Sequence, residues 1–102
     1  MMKNTNIVDF LILLFLAKEE EAKQYKIRMF VNKNLPDTSA QALRYHINTL
    51  LKNNLMEKHT YTSVSSNENA ISVYYRLTDE GKIKAEQAIS FWESIFNQLQ
   101  VS

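Results

Sequence analysis

The hydrophobic period of this chain changes once, just past Asn53-Asn54, and that change limits the possible folds more than any other feature. Before it, Ala40, Leu43, Ile47, Leu50 and Leu51 fall at i, i+3, i+7, i+10 and i+11. This is one apolar stripe of a helix over residues 37–52, capped by Asp37 or Thr38. After it, residues 56–63 and 71–77 alternate. They read as strands, the second rich in β-branched and aromatic residues. Ser65, Ser66, Asn67, Glu68 and Asn69 form a polar turn region between them, so the pair is a β-hairpin. Asn54 suits the left-handed residue that ends the helix. Leu55 and Met56 then return to the core.

The chain before this switch is helical. Residues 7–17 are apolar except for Asp9. As a helix that run spans about 16 Å, well short of the ~30 Å of a bilayer core. Lys18-Glu19-Glu20-Glu21 follows, where a signal peptide would need small residues for cleavage. The run therefore reads as a buried helix, capped by Thr5 or Asn6 and reaching about Lys18. Being apolar almost all round, it needs burial on more than one side, one core face and one dimer face. A second helix is expected over residues 22–31, with Tyr25, Ile27 or Met29, and Phe30 as its contacts. Asn32-Asn34 and Leu35-Pro36 break the chain, because Pro36 forces Leu35 out of helical geometry.

After the hairpin, Thr78 caps a last helix, with Asp79 and Glu80 favoured at its positive end. It runs to about Gln98, with Ala85, Ala88 or Ile89, Trp92, Ile95 or Phe96, and Leu99 along one side. The order is helix, helix, helix, hairpin, long helix. That is the layout of a winged helix-turn-helix with an added carboxy-terminal helix. The fold class is mainly α with a small β-hairpin. The 102 residues make a single domain, about 5–77 forming the helix-turn-helix and wing and about 78–100 the added helix.

Charge adds a weaker signal. The whole chain is +1, but residues 22–58 carry seven basic and two acidic groups, so the middle is basic and the ends are acidic. A local positive face suits nucleic acid. There are no cysteines, which excludes disulfide staples and Cys-ligated zinc and fits a reducing cytoplasm. His46 and His59 stand in no ligand spacing, so no metal is expected. His46 reads as a partly buried packing residue, and His59 as a surface residue or phosphate contact. Gly81 is the one glycine, so no loop cradles phosphate and no serine sits in a nucleophile elbow. No catalytic residues and no cofactor are expected.

The sequence resembles the PadR family of bacterial transcriptional regulators. Val73-Tyr74-Tyr75-Arg76-Leu77-Thr78-Asp79-Glu80-Gly81-Lys82 looks like that family's second wing strand leading into a capped helix. Leu11-Ile12-Leu13-Leu14-Phe15-Leu16-Ala17 looks like its apolar first helix. Leu43, Ile47, Leu50, Asn54, Leu55 and Met56 match the spacing of its recognition helix and first wing strand. Asn54 stands where members usually have glycine, and residues 18–23 lack the usual Gly- and Pro-containing turn. The tip Asn67, Glu68, Asn69 lacks the Arg or Lys that many wings carry.

The polar face of the third helix is the sharpest candidate site. Gln pairs with adenine and Arg with guanine, and hydroxyls serve bases or phosphates. That selects Thr38, Ser39, Gln41, Arg44, Tyr45 and Asn48, with Lys52 and Lys58 on phosphate. The bland alternative is a solvated helix face. Phe10, Leu14, Ile89, Trp92, Ile95, Phe96 and Leu99 are the expected homodimer contacts. The resemblance adds that tryptophans of the last helix line a hydrophobic ligand cavity in some members, which would imply a small-molecule effector at Trp92. The alternative is a dimer core without ligand. The implied function is a cytoplasmic homodimeric transcriptional regulator, a repressor, binding double-stranded DNA. A winged-helix protein-interaction module, or a plasmid or phage partition or replication accessory, is the alternative.

Overall fold

The computed structural model describes the backbone of residues 6–65 and 68–100, and the side chains of residues 6–62 and 71–100. Helix α1 spans Ile7–Glu19, strand β1 Glu21–Ala22, α2 Gln24–Asn34, α3 Ala40–Lys52, β2 Met56–Ser65, β3 Glu68–Leu77 and α4 Asp79–Gln100. The expected fold class is found: four helices and one small antiparallel sheet.

α1 is the central post. Asn6 caps it, its Oδ1 accepting from the Val8 amide at 2.8 Å. Val8, Leu11, Ile12, Leu13 and Leu16 are buried, and α2, α3, α4 and the sheet all pack on it. Phe15 stacks on Phe30 of α2 with centroids 5.1 Å apart. Thr5 lies outside the described residues, as does Asn67, while the side chains of Glu68 and Asn69 are likewise outside.

The sheet has the order β1-β3-β2, and its first strand was not anticipated. Glu21 and Ala22 pair with Arg76 and Tyr75. Two residues are too few to show a period. Ala22, expected to open the second helix, is instead in β1 and only 6% exposed. α2 accordingly starts two residues later and runs on to Asn34. Its end is held by Asn34 Nδ2 donating to the Phe30 carbonyl at 2.9 Å and by the Leu35 amide donating to the Val31 carbonyl at 2.7 Å. Ile27 and Val31 are its buried residues, while Tyr25 and Met29 are exposed.

α3 begins at Ala40, and its cap is Ser39 rather than Asp37 or Thr38. The Thr38 amide is spent on the Leu35 carbonyl, 3.1 Å away, so the turn after Pro36 is still closing there. Ser39 Oγ accepts from the Ala42 amide at 3.0 Å. Leu43, Ile47 and Leu50 of the expected stripe are buried; Leu51 is half-buried, and Ala40 is exposed.

Past α3 the chain reverses in a tight corner. Asn54 sits at φ 62, the left-handed region that asparagine tolerates. Thr78 ties this corner to α4: its Oγ1 donates to the Asn54 carbonyl at 2.7 Å and accepts from the Gly81 amide at 3.0 Å. The hairpin between them is longer than the alternation indicated. Its ladder runs from Met56–Leu77 to Ser65–Glu68, leaving a two-residue connection.

Candidate nucleic-acid interface

α3 divides its residues cleanly. Leu43, Ile47 and Leu50 face the core, and Gln41, Arg44, Tyr45, Asn48 and Lys52 are all exposed. At 100° per residue these five fall within an arc of about 100°. They form one stripe of two amides, an aromatic and two cations, with Tyr45 67% exposed. Thr38 is half-buried and precedes the helix, and Ser39 is exposed with its oxygen engaged in the cap. Its hydroxyl proton remains free to donate.

Further basic residues lie on α2 and the sheet. α2 contains Lys26, Arg28 and Lys33 and no acidic residue. The Lys26 amine lies 5.6 Å from the Tyr25 ring centroid, and the Lys23 amine 5.6 Å from that of Tyr74. Lys58 is exposed on β2, directly across from Tyr75.

Each histidine is held by a charged group that sequence alone did not pair with it. His46 Nδ1 lies 2.8 Å from Asp9 Oδ1 on α1. A carboxylate only accepts, so Nδ1 carries the proton. Asp9 is the one charge in the apolar run of α1, and a charge on a packing helix calls for a partner; that was the available signal. His59 sits on the outer face of the sheet, where Arg76 Nη2 donates to its Nδ1 at 3.1 Å. Its Nε2 faces Glu57 at 3.6 Å, too far for a hydrogen bond. On the same face the Tyr61 hydroxyl donates to Glu21, 3.0 and 3.1 Å from its two oxygens. That bond, with the nearby negative charge, pushes the Tyr61 phenol above its usual range.

The residues expected at a dimer contact lie on α1 and α4. Phe10 meets Trp92 at 5.9 Å between centroids, and Phe91 meets Trp92 at 5.8 Å. Leu14, Ile89 and Ile95 are half-buried. Trp92, Phe96 and Leu99 are 38%, 61% and 73% exposed. Ile7, Ile83 and Phe91, absent from the expected set, are also exposed. Among the described residues, no three His, Asp or Glu side chains cluster to hold a metal. No described helix is long and apolar enough to cross a membrane.

No protein-family profile matches the sequence, and no curated protein is detectably similar to it. Solved structures do match. A PadR-like transcription factor from Bacteroides fragilis superposes with a TM-score of 0.72 at 19% identity, over 92% of this chain and 87% of that one. A PadR family transcription regulator from hypervirulent Clostridium difficile R20291 gives 0.66 at 23% identity, over 93% and 99%. Bacillus subtilis PadR in complex with operator DNA gives 0.60 at 17% identity, over 82% of this chain and 47% of that one. With three helices, a three-stranded wing sheet and a long final helix in the same arrangement, the chain has the winged helix-turn-helix fold of the PadR-like regulators.

Proposed function

We propose that the chain is a sequence-specific double-stranded DNA-binding transcriptional regulator, a repressor, acting as a homodimer in the cytoplasm. The observation that carries this is the exposed stripe Gln41, Arg44, Tyr45, Asn48 and Lys52 on a helix whose other face buries Leu43, Ile47 and Leu50. A helix held this way presents one polar stripe, and the major groove is wide enough to admit a helix. Gln41 and Arg44, near its amino-terminal end, are placed to meet base edges. Thr38, Ser39, Tyr45 and Asn48 supply further hydrogen bonds and contact. Lys52 and Lys58, with Lys23, Lys26, Arg28 and Lys33, serve phosphates. The similarity of fold to a regulator whose structure is in complex with operator DNA supports DNA binding by this chain.

Phe10, Leu14, Ile89, Trp92, Ile95, Phe96 and Leu99 provide the dimer face. The apolar residues left open along α4 supply its driving force. A symmetric pair would set two reading helices about one DNA turn apart, roughly 34 Å. Trp92 belongs to that face; quenching of its fluorescence by an apolar ligand would identify an effector there.

The test is fluorescence anisotropy on duplexes of about three turns across a salt series. Tight binding should weaken steeply with salt, each phosphate-bound cation adding about 0.9 to the logarithmic slope. Arg44→Ala with Gln41→Ala should lower affinity for a selected duplex far more than for an unselected pool. Equal losses on both would remove base readout by α3. No binding at low salt would sink the regulator reading and favour a protein partner for the same face.

A further inference from the structure

The contact between α1 and α3 is apolar except at one point. Leu43, Ile47 and Leu50 fill the space beneath α3. Such burial fixes which face of α3 turns inward, but it is non-directional, so a hydrogen bond adds a finer control of roll. The exception is the bond from His46 Nδ1 to Asp9 Oδ1 at 2.8 Å, the one side-chain hydrogen bond between the two helices among the described residues. The two side chains are 16% and 20% exposed. Water therefore competes weakly for either group, and the bond is charge-assisted.

Roll matters here because of where it is felt. Side-chain ends on a helix lie about 5–6 Å from its axis, so a roll of about 20° moves them by about 2 Å. Placement of that quality separates a working site from a loose one. His46 is next to Tyr45, and their rings meet edge-on at 5.4 Å. On the other side, Asp9 is next to Phe10, which contacts Trp92 of α4.

We propose that Asp9 and His46 are positioning residues for base readout. Their bond sets the roll of α3 on α1, and with it the presentation of Gln41, Arg44, Tyr45 and Asn48. One turn of α1 then carries both jobs: Asp9 holds the reading helix and Phe10 holds α4, so the recognition surface is registered to the proposed dimer face. This role rests on the DNA-binding reading above.

The experiment is a double-mutant cycle on the full chain. Asp9→Ala, His46→Ala and the double variant are compared on a selected duplex and on an unselected pool. Melting temperature is followed throughout, and His46→Leu is measured in parallel to keep the volume without the donor. Each single variant should lose about tenfold on the selected duplex and less than about twofold on the pool, as expected for one partly buried charged hydrogen bond. The double variant should be no worse than either single one. Asp9→Asn, whose amide oxygen still accepts, should recover binding to within about threefold of wild type. Losses that multiply in the double variant, equal losses on both DNAs, or no rescue by Asp9→Asn would overturn the role. A wild type that binds no duplex overturns the regulator reading and this role together. A wild type that selects its duplex, with alanine variants that select it equally well, overturns this role alone.

Discussion

The backbone carbonyl of Leu55 occupies the place where a side chain on Gly81 would begin. The first turn of α4 thus lies directly on the corner that follows α3. Alanine is the better helix former by about 1 kcal/mol, so a free helix would gain from Gly81→Ala. Here the added carbon meets backbone, which cannot rotate aside, and overpacking of that kind costs about 1–3 kcal/mol. Gly81→Ala should therefore be net destabilising, seen as a lower urea midpoint at unchanged slope. A midpoint at or above wild type would show that α4 can lift off the corner freely.

Asn54 is the other half of the same corner, at φ 62. Its Nδ2 also donates to Glu80 Oε1 at 3.3 Å, a long and exposed bond of little weight. Backbone conformation should therefore dominate. Asn54→Gly should leave stability within about 0.5 kcal/mol of wild type, since glycine adopts this region at no steric cost. Asn54→Ala should cost about 1 kcal/mol, because an ordinary side chain is strained there. If both variants lose equally in thermal melts, the Glu80 contact and not φ is what matters.

These corners mark where the sequence was informative. Asn54, Thr78 and the stripe Leu43, Ile47, Leu50 each carry a local physical signal, a tolerated backbone angle, a capping hydroxyl or a helical period, so α3, the hairpin and the start of α4 could be placed from residues alone. β1 could not, because Glu21 and Ala22 are strand only through their pairing with β3. The start of α3 slipped to Ser39 because three successive residues, Asp37, Thr38 and Ser39, can all cap, and the Leu35–Thr38 turn decides among them. Contacts distant in sequence, such as Asp9 with His46, leave only the unexplained charge of Asp9 as a trace.

His46 and His59 are fixed in opposite tautomers. His46 donates a hydrogen bond from Nδ1–H to Asp9, whereas His59 accepts one from Arg76 at Nδ1 and so carries its proton on Nε2. Nitrogen-detected NMR at alkaline pH, where imidazoles are neutral, should show one ring of each kind. Arg76→Gln should perturb the His59 pattern and leave that of His46 unchanged. Two rings of the same tautomer would contradict this geometry.

Tyr61 reaches across β3 to Glu21, its ring edge-on to Tyr74 at 5.2 Å. The hydrogen bond to the carboxylate requires the phenol proton, which is why the group titrates above its ordinary value of about 10. The contribution to stability is thus complete below that ordinary value and is lost as pH rises through the raised one. Tyr61→Phe should melt lower than wild type near neutral pH, and the gap should close in strongly alkaline buffer. In a spectrophotometric titration, Glu21→Gln should bring the phenol back down. A phenol that does not move in Glu21→Gln would mean that this bond is not the cause.

Phe96 and Leu99, 61% and 73% exposed, lie beyond the monomer's buried core at the far end of α4. Fully covering a side chain of this size stabilises by about 1.5–3 kcal/mol. In a two-fold interface every substitution occurs twice. Phe96→Glu with Leu99→Glu should therefore weaken the proposed dimer by more than about a hundredfold, since each change removes apolar area and brings a carboxylate into the interface. The protomer should remain folded, because neither residue contributes to its core. Sedimentation velocity across a concentration series should show wild type as a dimer and the variant as a monomer of unchanged circular dichroism. A variant that still dimerises would shift the interface off this end of α4, toward the exposed Ile83 and Phe91. The spacing of the two reading helices would then have to be worked out from that face instead.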